Sequence, residues 1–184
     1  MARKGMLARR EGYHRQLNLA HSPMLAYLTP WLSIMLASYL PSLPIASAMP
    51  LAPPLGFVML LGWRYVRPGL LPPWAGVPLG LFDDLFSGQP LGSAILVWSL
   101  VLIAIEFIEM RFPWHGFFQD WAYAALFIVL AILAGVAFSG APVTGAVLLA
   151  VVPQLLLSVL LFPIVARMVA SLDRLRLIRF RLVQ

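Results

Sequence analysis

Two adjacent carboxylates, Asp83 and Asp84, are the residues of this 184-residue chain whose type and position best suit chemistry. They lie inside an apolar run, whereas the other acidic residues lie close to basic residues or in the tails. Because a carboxylate at the centre of a bilayer costs about 2.5 to 3.5 kcal/mol, each must face protein, water or headgroups. One interpretation therefore makes the pair a proton or cation site.

A structural role is the alternative interpretation for Asp84. The same leaflet is predicted to hold no basic residue, so protonation or hydrogen bonds from amides must stabilise both carboxylates. A new apolar run begins at about Leu91, and the amides at the start of a helix carry the positive end of its dipole. We therefore expect Asp84 to accept backbone amides there rather than to bind a ligand.

Catalytic or metal chemistry finds little support elsewhere in the sequence. His14, His21 and His115 are scattered, without the one-turn spacing of a zinc site. Adjacent residues diverge by about 100° on a helix, so Asp83 and Asp84 cannot face each other as an acid and base pair. The chain has no cysteine, which excludes disulfides and thiolate metal sites. We expect no enzymatic activity, no metal and no cofactor.

Composition defines the class of protein. With 61% hydrophobic residues, 11% charged residues and a mean hydropathy of +0.89, the chain could not bury its apolar surface in a water-soluble core. The net charge of +6 would suggest nucleic acid in a soluble domain, but these basic residues flank apolar runs and face anionic headgroups. The composition predicts an all-α integral membrane protein without a nucleic-acid partner.

The apolar runs predict a bundle of six transmembrane helices in one domain. A crossing needs about 20 apolar residues. The predicted crossings cover approximately residues 23–40, 55–65, 69–86, 91–110, 121–138 and 144–166. Prolines and glycines crowd the third crossing, so we expect its backbone to be bent or partly unwound.

All thirteen Lys and Arg residues fall in the tails or in alternate connections. The connections carry Arg64, Arg67 and Arg111, and the C-terminal segment includes Arg167 and Arg174. Because basic residues near span ends stay in the cytoplasm, we expect a multi-pass membrane protein with both termini cytoplasmic.

Two basic segments flank the predicted membrane domain, which spans residues 23–166. Residues 1–22 form a basic cytoplasmic tail, and residues 167–184 form a basic amphipathic helix. The latter is interpreted either as a membrane-surface extension of the sixth crossing or as a docking helix for a cytoplasmic partner.

The segment from Gly80 to Gly92, with the sequence GLFDDLFSGQPLG, resembles the signature of the bacterial rod shape-determining protein MreD family. That signature has a glycine followed by a hydrophobic residue, an aspartate four residues before a glycine, and an ending similar to Pro-Leu-Gly. Asp84, Gly88, Leu91 and Gly92 occupy these positions, and Asp83 is an additional acid.

The resemblance implies a non-catalytic scaffold of the cell-elongation complex. Such a protein would maintain rod shape by binding MreC and, through it, would support peptidoglycan synthesis with MreB, RodA and its transpeptidase. The resemblance also implies a fold similar to the substrate-binding subunits of energy-coupling vitamin transporters. A vitamin-like transporter subunit is therefore the alternative, and it would need an outward polar pocket at Asp83 and Asp84. A lipid flippase is disfavoured because no arginine lies within a predicted crossing away from its ends.

Small residues at four-residue spacing suggest where helices approach each other closely. Gly76 precedes Gly80 by four residues, and Gly88 precedes Gly92 by four. Packing within the chain is the default explanation of such spacing. Our hypothesis for a partner is that these four glycines form a groove for the transmembrane helix of an MreC-like protein.

Overall fold

The computed structural model describes residues 23–43, 52–111, 116–140, 142 and 144–176. Several sequence predictions lie outside these residues: the basic tail 1–22, His115, and the end of the C-terminal segment at 177–184. Within the described residues the protein is all-helical.

Six α-helices follow one another in the part of the chain that the structure describes. They are α1 (Pro23–Tyr39), α2 (Leu55–Val66), α3 (Gly76–Ser87), α4 (Ser93–Arg111), α5 (Phe117–Phe138) and α6 (Gly145–Arg176), with short 3₁₀ helices at Leu40–Ser42 and Pro73–Ala75. All except α3 begin close to the predicted start of a crossing. The prediction of a helical membrane protein is therefore confirmed at this level.

Three of the helices, α4, α5 and α6, are long and apolar enough to cross a bilayer. By contrast, α2 and α3 have 12 residues each, or about 18 Å of helix, against a hydrocarbon core of about 30 Å. The start of the third predicted crossing is not α-helical, because Pro72 is extended and a 3₁₀ turn precedes α3. The expected unwinding of this segment is observed, and six complete crossings remain a prediction.

The short helix α2 lies at the centre of the fold. Nine consecutive residues, Gly56 to Arg64, are buried, so every face of the helix is covered by protein. Trp63 is fully buried and its indole Nε1 donates a hydrogen bond to Ser33 Oγ of α1 at 2.8 Å. A helix that is apolar all round is typical of such a central position.

The contact between α3 and α4 depends on two glycines. A Cβ atom added to Gly76 would lie 2.7 Å from Ser99 Cα, and one added to Gly80 would lie 2.7 Å from Ile95 Cα. The backbones of the two helices therefore approach too closely for any side chain. This corrects the proposed partner groove, because α4 of the same chain already occupies this glycine face.

The remaining two glycines of the predicted groove have another role. Gly88 and Gly92 have positive φ angles of 70° and 98° in the turn between α3 and α4, and open space surrounds the position of an added Cβ. They allow the turn to adopt a backbone conformation that other residues rarely take. They do not line a helix-packing face.

The C-terminal basic segment continues α6 as far as the structure describes it. The helix runs for 32 residues through Pro153 and Pro163, or about 48 Å, and therefore exceeds the thickness of a hydrocarbon core. Val169 is fully buried and Asp173 is 8% exposed, so this part of α6 packs against the bundle, including α2. The two interpretations of residues 167–184, a membrane-surface extension and a docking helix, stay predictions.

Among the described residues, the bundle has a cationic end and an opposite end without Lys or Arg. The C-terminal ends of α2, α4 and α6 meet at the cationic end through two ion pairs, described below. The opposite end contains the start of α2, where Gln154 Nε2 of α6 donates a hydrogen bond to Ala52 O at 2.9 Å. Arg111, Arg167 and Arg174 lie near the C-terminal ends of α4 and α6, so the described arginines gather at one end, as their spacing in the sequence predicts.

Candidate functional site

Asp84 is buried at the end without Lys or Arg and holds the start of α4. Its Oδ2 accepts the amide of Gly92 at 2.8 Å and that of Ile95 at 3.4 Å, and its Oδ1 accepts the amide of Ala94 at 2.9 Å. Ser93 Oγ also donates to Oδ1 at 3.0 Å. The side chain is 3% exposed. Asp84 thus caps α4 from the preceding helix.

This arrangement explains how a carboxylate is tolerated in an apolar bundle. The first amides of a helix have no partner within the helix, and burial without a partner is costly. The carboxylate supplies acceptors, and the positive end of the helix dipole stabilises its charge. Of the two interpretations made from the sequence, the structural one is observed for Asp84.

The residues that carry the MreD-like signature form one structural unit. Gly80 lies against the backbone of α4, Gly88 ends α3 in a left-handed conformation, and Gly92 donates its amide to Asp84. Leu91 is 73% exposed, and no contact among the described residues explains its presence in the signature. This unit fixes the angle and the distance between α3 and α4.

Asp83 faces a different direction from its neighbour. A Cβ atom added to Gly56 of α2 would collide with Ser38 Oγ of α1 and would lie 3.1 Å from Asp83 Oδ1. The carboxylate of Asp83 is therefore next to the contact between α1 and α2, where the Ser38 hydroxyl is buried. The two aspartates share no backbone partner, as their angular separation on a helix requires.

A partly enclosed cavity of about 250 Å³ lies at the same end of the bundle. Its walls come from α2, α3, α4, α5 and α6 and from the turn between α3 and α4. The polar side chains that line it include Asp83, Gln89, Ser93 and Gln154, and the aromatic ones are Phe57 and Trp98. Sequence analysis singled out Asp83 but not Gln154 or Trp98. Only packing of distant segments brings these side chains together.

The cationic end is built from two buried or half-buried ion pairs. Arg64, which is 4% exposed, pairs with Glu109 at 2.6 Å and joins α2 to α4. Arg67 pairs with Asp173 at 2.9 Å and joins α2 to α6. Arg111, the nearest arginine in the sequence to Glu106 and Glu109, is exposed at the end of α4, whereas Arg64 pairs with Glu109. The spacing of residues along the sequence does not show which residues of distant helices will pair.

No group of three or more His, Asp or Glu side chains that could hold a metal occurs in the part of the chain that the structure describes. The cavity beside Asp83 is the candidate site considered below.

No protein-family model matches the chain, and no match was found among curated proteins or among solved structures. The resemblance to the MreD signature therefore depends on residues 80–92 alone and stays a prediction.

Proposed function

We propose that this chain is a non-catalytic membrane scaffold of the bacterial cell-elongation complex. In this role it would bind an MreC-like membrane-anchored partner and, through it, support MreB, RodA and its transpeptidase in peptidoglycan synthesis. The observation that carries the proposal is the unit formed by Asp84, Gly88 and Gly92, because these residues also carry the resemblance to MreD.

The hydrogen bonds that Asp84 accepts favour a scaffold over a catalyst. A catalytic carboxylate must be free to exchange a proton with substrate, whereas both oxygens of Asp84 are engaged by amides at the start of α4. Its contribution is to hold two helices in one geometry. A fixed surface of this kind is what a partner helix needs for recognition within a membrane.

The proposed orientation places the cationic end in the cytoplasm of the inner membrane. Arg64, Arg67, Arg111, Arg167 and Arg174 would then lie on the side where basic residues are retained. The cavity and the turn between α3 and α4 would face the periplasm. An MreC-like partner, with its main domain in the periplasm, would approach from that side.

The partner helix is proposed to contact the outer half of α6. The glycine face of α3 is occupied, whereas Ala146 and Ala150 on α6 are exposed and separated by four residues. Small residues with this spacing allow two helices to approach closely in lipid, where van der Waals packing drives association. Leu149, 73% exposed beside them, offers additional packing area.

Capture of partners from detergent-solubilised membranes tests this function. The full chain should retain a single-span, MreC-like protein, and depletion of the chain should cause loss of rod shape. Ala150→Trp should reduce capture, whereas the matched Ala122→Trp, at an exposed alanine of α5, should not. Absence of any such partner, together with normal cell shape after depletion, would contradict the proposal.

A small-molecule transporter subunit is the second candidate, and the cavity beside Asp83 is the observation that favours it. Such a subunit would show substrate-dependent thermal stabilisation and uptake that depends on the chain. It would not require capture of an MreC-like protein, so the two candidates predict different results.

A further inference from the structure

We propose that the cavity beside Asp83 binds a small organic cation that carries an alkylammonium group, with the Asp83 carboxylate as its counter-ion. The cavity lies at the end of the bundle without Lys or Arg, and its walls combine one carboxylate, amide side chains and two aromatic rings. The inference does not depend on whether the chain is a scaffold or a transporter subunit.

The distribution of charge in the chain indicates that the ligand is positively charged. Lys and Arg are absent between Arg67 and Arg111 and again between Arg111 and Arg167. The arginines of α2, α4 and α6 lie at the cationic end, so the described lining of the cavity places no Lys or Arg beside Asp83. Asp84 is compensated by the amides of α4, but Asp83 points away from them, towards α1 and α2. An ionisable group within a membrane bundle generally marks a functional site with a specific partner, and here the partner is a cation from outside.

The other polar groups suit an ammonium donor. The amide nitrogen of Gln154 already donates to Ala52 O, which leaves the Oε1 of Gln154 to accept a hydrogen bond. The hydroxyl of Ser93 is shared between Asp84 and Gln89 at the wall of the cavity. An alkylammonium group has three donors and no acceptor, so it matches a carboxylate with neighbouring acceptors.

Aromatic walls and limited volume narrow the class of ligand further. The rings of Phe57 and Trp98 lie with their centroids 5.9 Å apart, and both line the cavity. A cation near an aromatic face is attracted by the ring quadrupole. Divalent calcium prefers 6 to 8 oxygen ligands, whereas the lining includes a single carboxylate, Asp83. The volume of about 250 Å³ suits a small amine or a lipid headgroup rather than a large cofactor.

Titration of the purified full chain with ethanolamine tests the site. Isothermal titration calorimetry should give saturable binding, and Asp83→Asn should weaken it by about tenfold or more because the charge-assisted contact is lost. Glu106→Gln is the matched control, since it removes one negative charge from the half-buried inner part of α4. It should leave the affinity unchanged.

A second variant keeps the test independent of the charge change. Val136 is half-buried at the cavity wall on α5, so Val136→Phe should fill part of the cavity while Asp83 stays intact. This variant should also weaken ethanolamine binding, and a thermal melt in detergent should show that both variants remain folded.

Two sources of the alkylammonium group give different results. Binding of free ethanolamine indicates a soluble amine, whereas retention of phosphatidylethanolamine over phosphatidylglycerol in native mass spectrometry, without binding of free ethanolamine, indicates a lipid headgroup. Either result supports the proposed site if Asp83→Asn weakens that binding by about tenfold or more. Failure to bind both probes, or equal behaviour of Asp83→Asn and Glu106→Gln, overturns the proposal. Partner capture is a separate measurement, so a negative result here leaves the scaffold function testable.

Discussion

Replacement of Asp84 by alanine should strongly destabilise the bundle, because it removes the cap of α4. The carboxylate accepts the amides of Gly92 and Ala94 at 2.8 and 2.9 Å; the bond from Ala94 is buried and that from Gly92 is partly buried. A buried donor left without a partner costs about 1 to 3 kcal/mol. Two such donors therefore predict a loss of about 2 to 6 kcal/mol in the free energy of unfolding.

The weaker contacts of Asp84 should add little to this figure. The amide of Ile95 is 3.4 Å from the carboxylate, which is long for a hydrogen bond. Ser93 Oγ also lies 3.2 Å from Gln89 Oε1 and can turn to that acceptor when Asp84 is absent. Asp84→Asn keeps one carbonyl acceptor but loses the charge, so its effect should lie between those of the wild type and Asp84→Ala.

Equilibrium unfolding of the purified protein in mixed micelles, titrated with a denaturing detergent and followed by circular dichroism, measures this loss. The matched control is Asp83→Ala, at the adjacent position, since Asp83 caps no helix. We expect it to change the free energy of unfolding by less than about 1 kcal/mol. Equal destabilisation by the two alanine variants would refute the reasoning, because capping would then not distinguish the two carboxylates.

Three further predictions concern packing, ion pairing and orientation. Gly80→Ala should destabilise the bundle by about 1 to 3 kcal/mol, because its Cβ would meet the α4 backbone, whereas Gly145→Ala, in open space, should be tolerated in the same unfolding assay. Arg64→Met or Glu109→Met alone should cost about 3 to 5 kcal/mol by leaving a buried charge unpaired, and the double variant should recover most of this stability; no recovery would argue against the pair. The chain has no native cysteine, so Ser139→Cys should react with a membrane-impermeant maleimide added outside spheroplasts; labelling only from the cytoplasmic side would reverse the proposed orientation.

Much of the helix order was predictable from the sequence. Apolar runs and their interruptions by proline, glycine and polar residues located all six helices, although α3 begins after the predicted start. The cap formed by Asp84 was also predictable, because a carboxylate a few residues before a helix has a local partner in that helix. Interactions of this kind depend on short separations along the chain.

The candidate site was much less predictable. Nothing in local spacing indicates that Asp83 of α3 shares a cavity with Gln154 of α6. Local spacing likewise does not indicate that Glu109 of α4 pairs with Arg64 of α2. It also placed a partner helix on Gly76 and Gly80, where α4 packs.

The amino-acid sequence by itself determined the membrane class, the approximate helix positions, the gathering of basic residues at one end and the acid that caps α4. Tertiary structure alone decided which faces of the helices meet, which of two adjacent aspartates lines the cavity, and which acid accepts Arg64. The physical reason is that hydropathy and capping act over a few residues. In lipid, by contrast, outward and inward faces are both apolar, so periodicity does not mark the packed face and only side-chain fit between distant helices selects it.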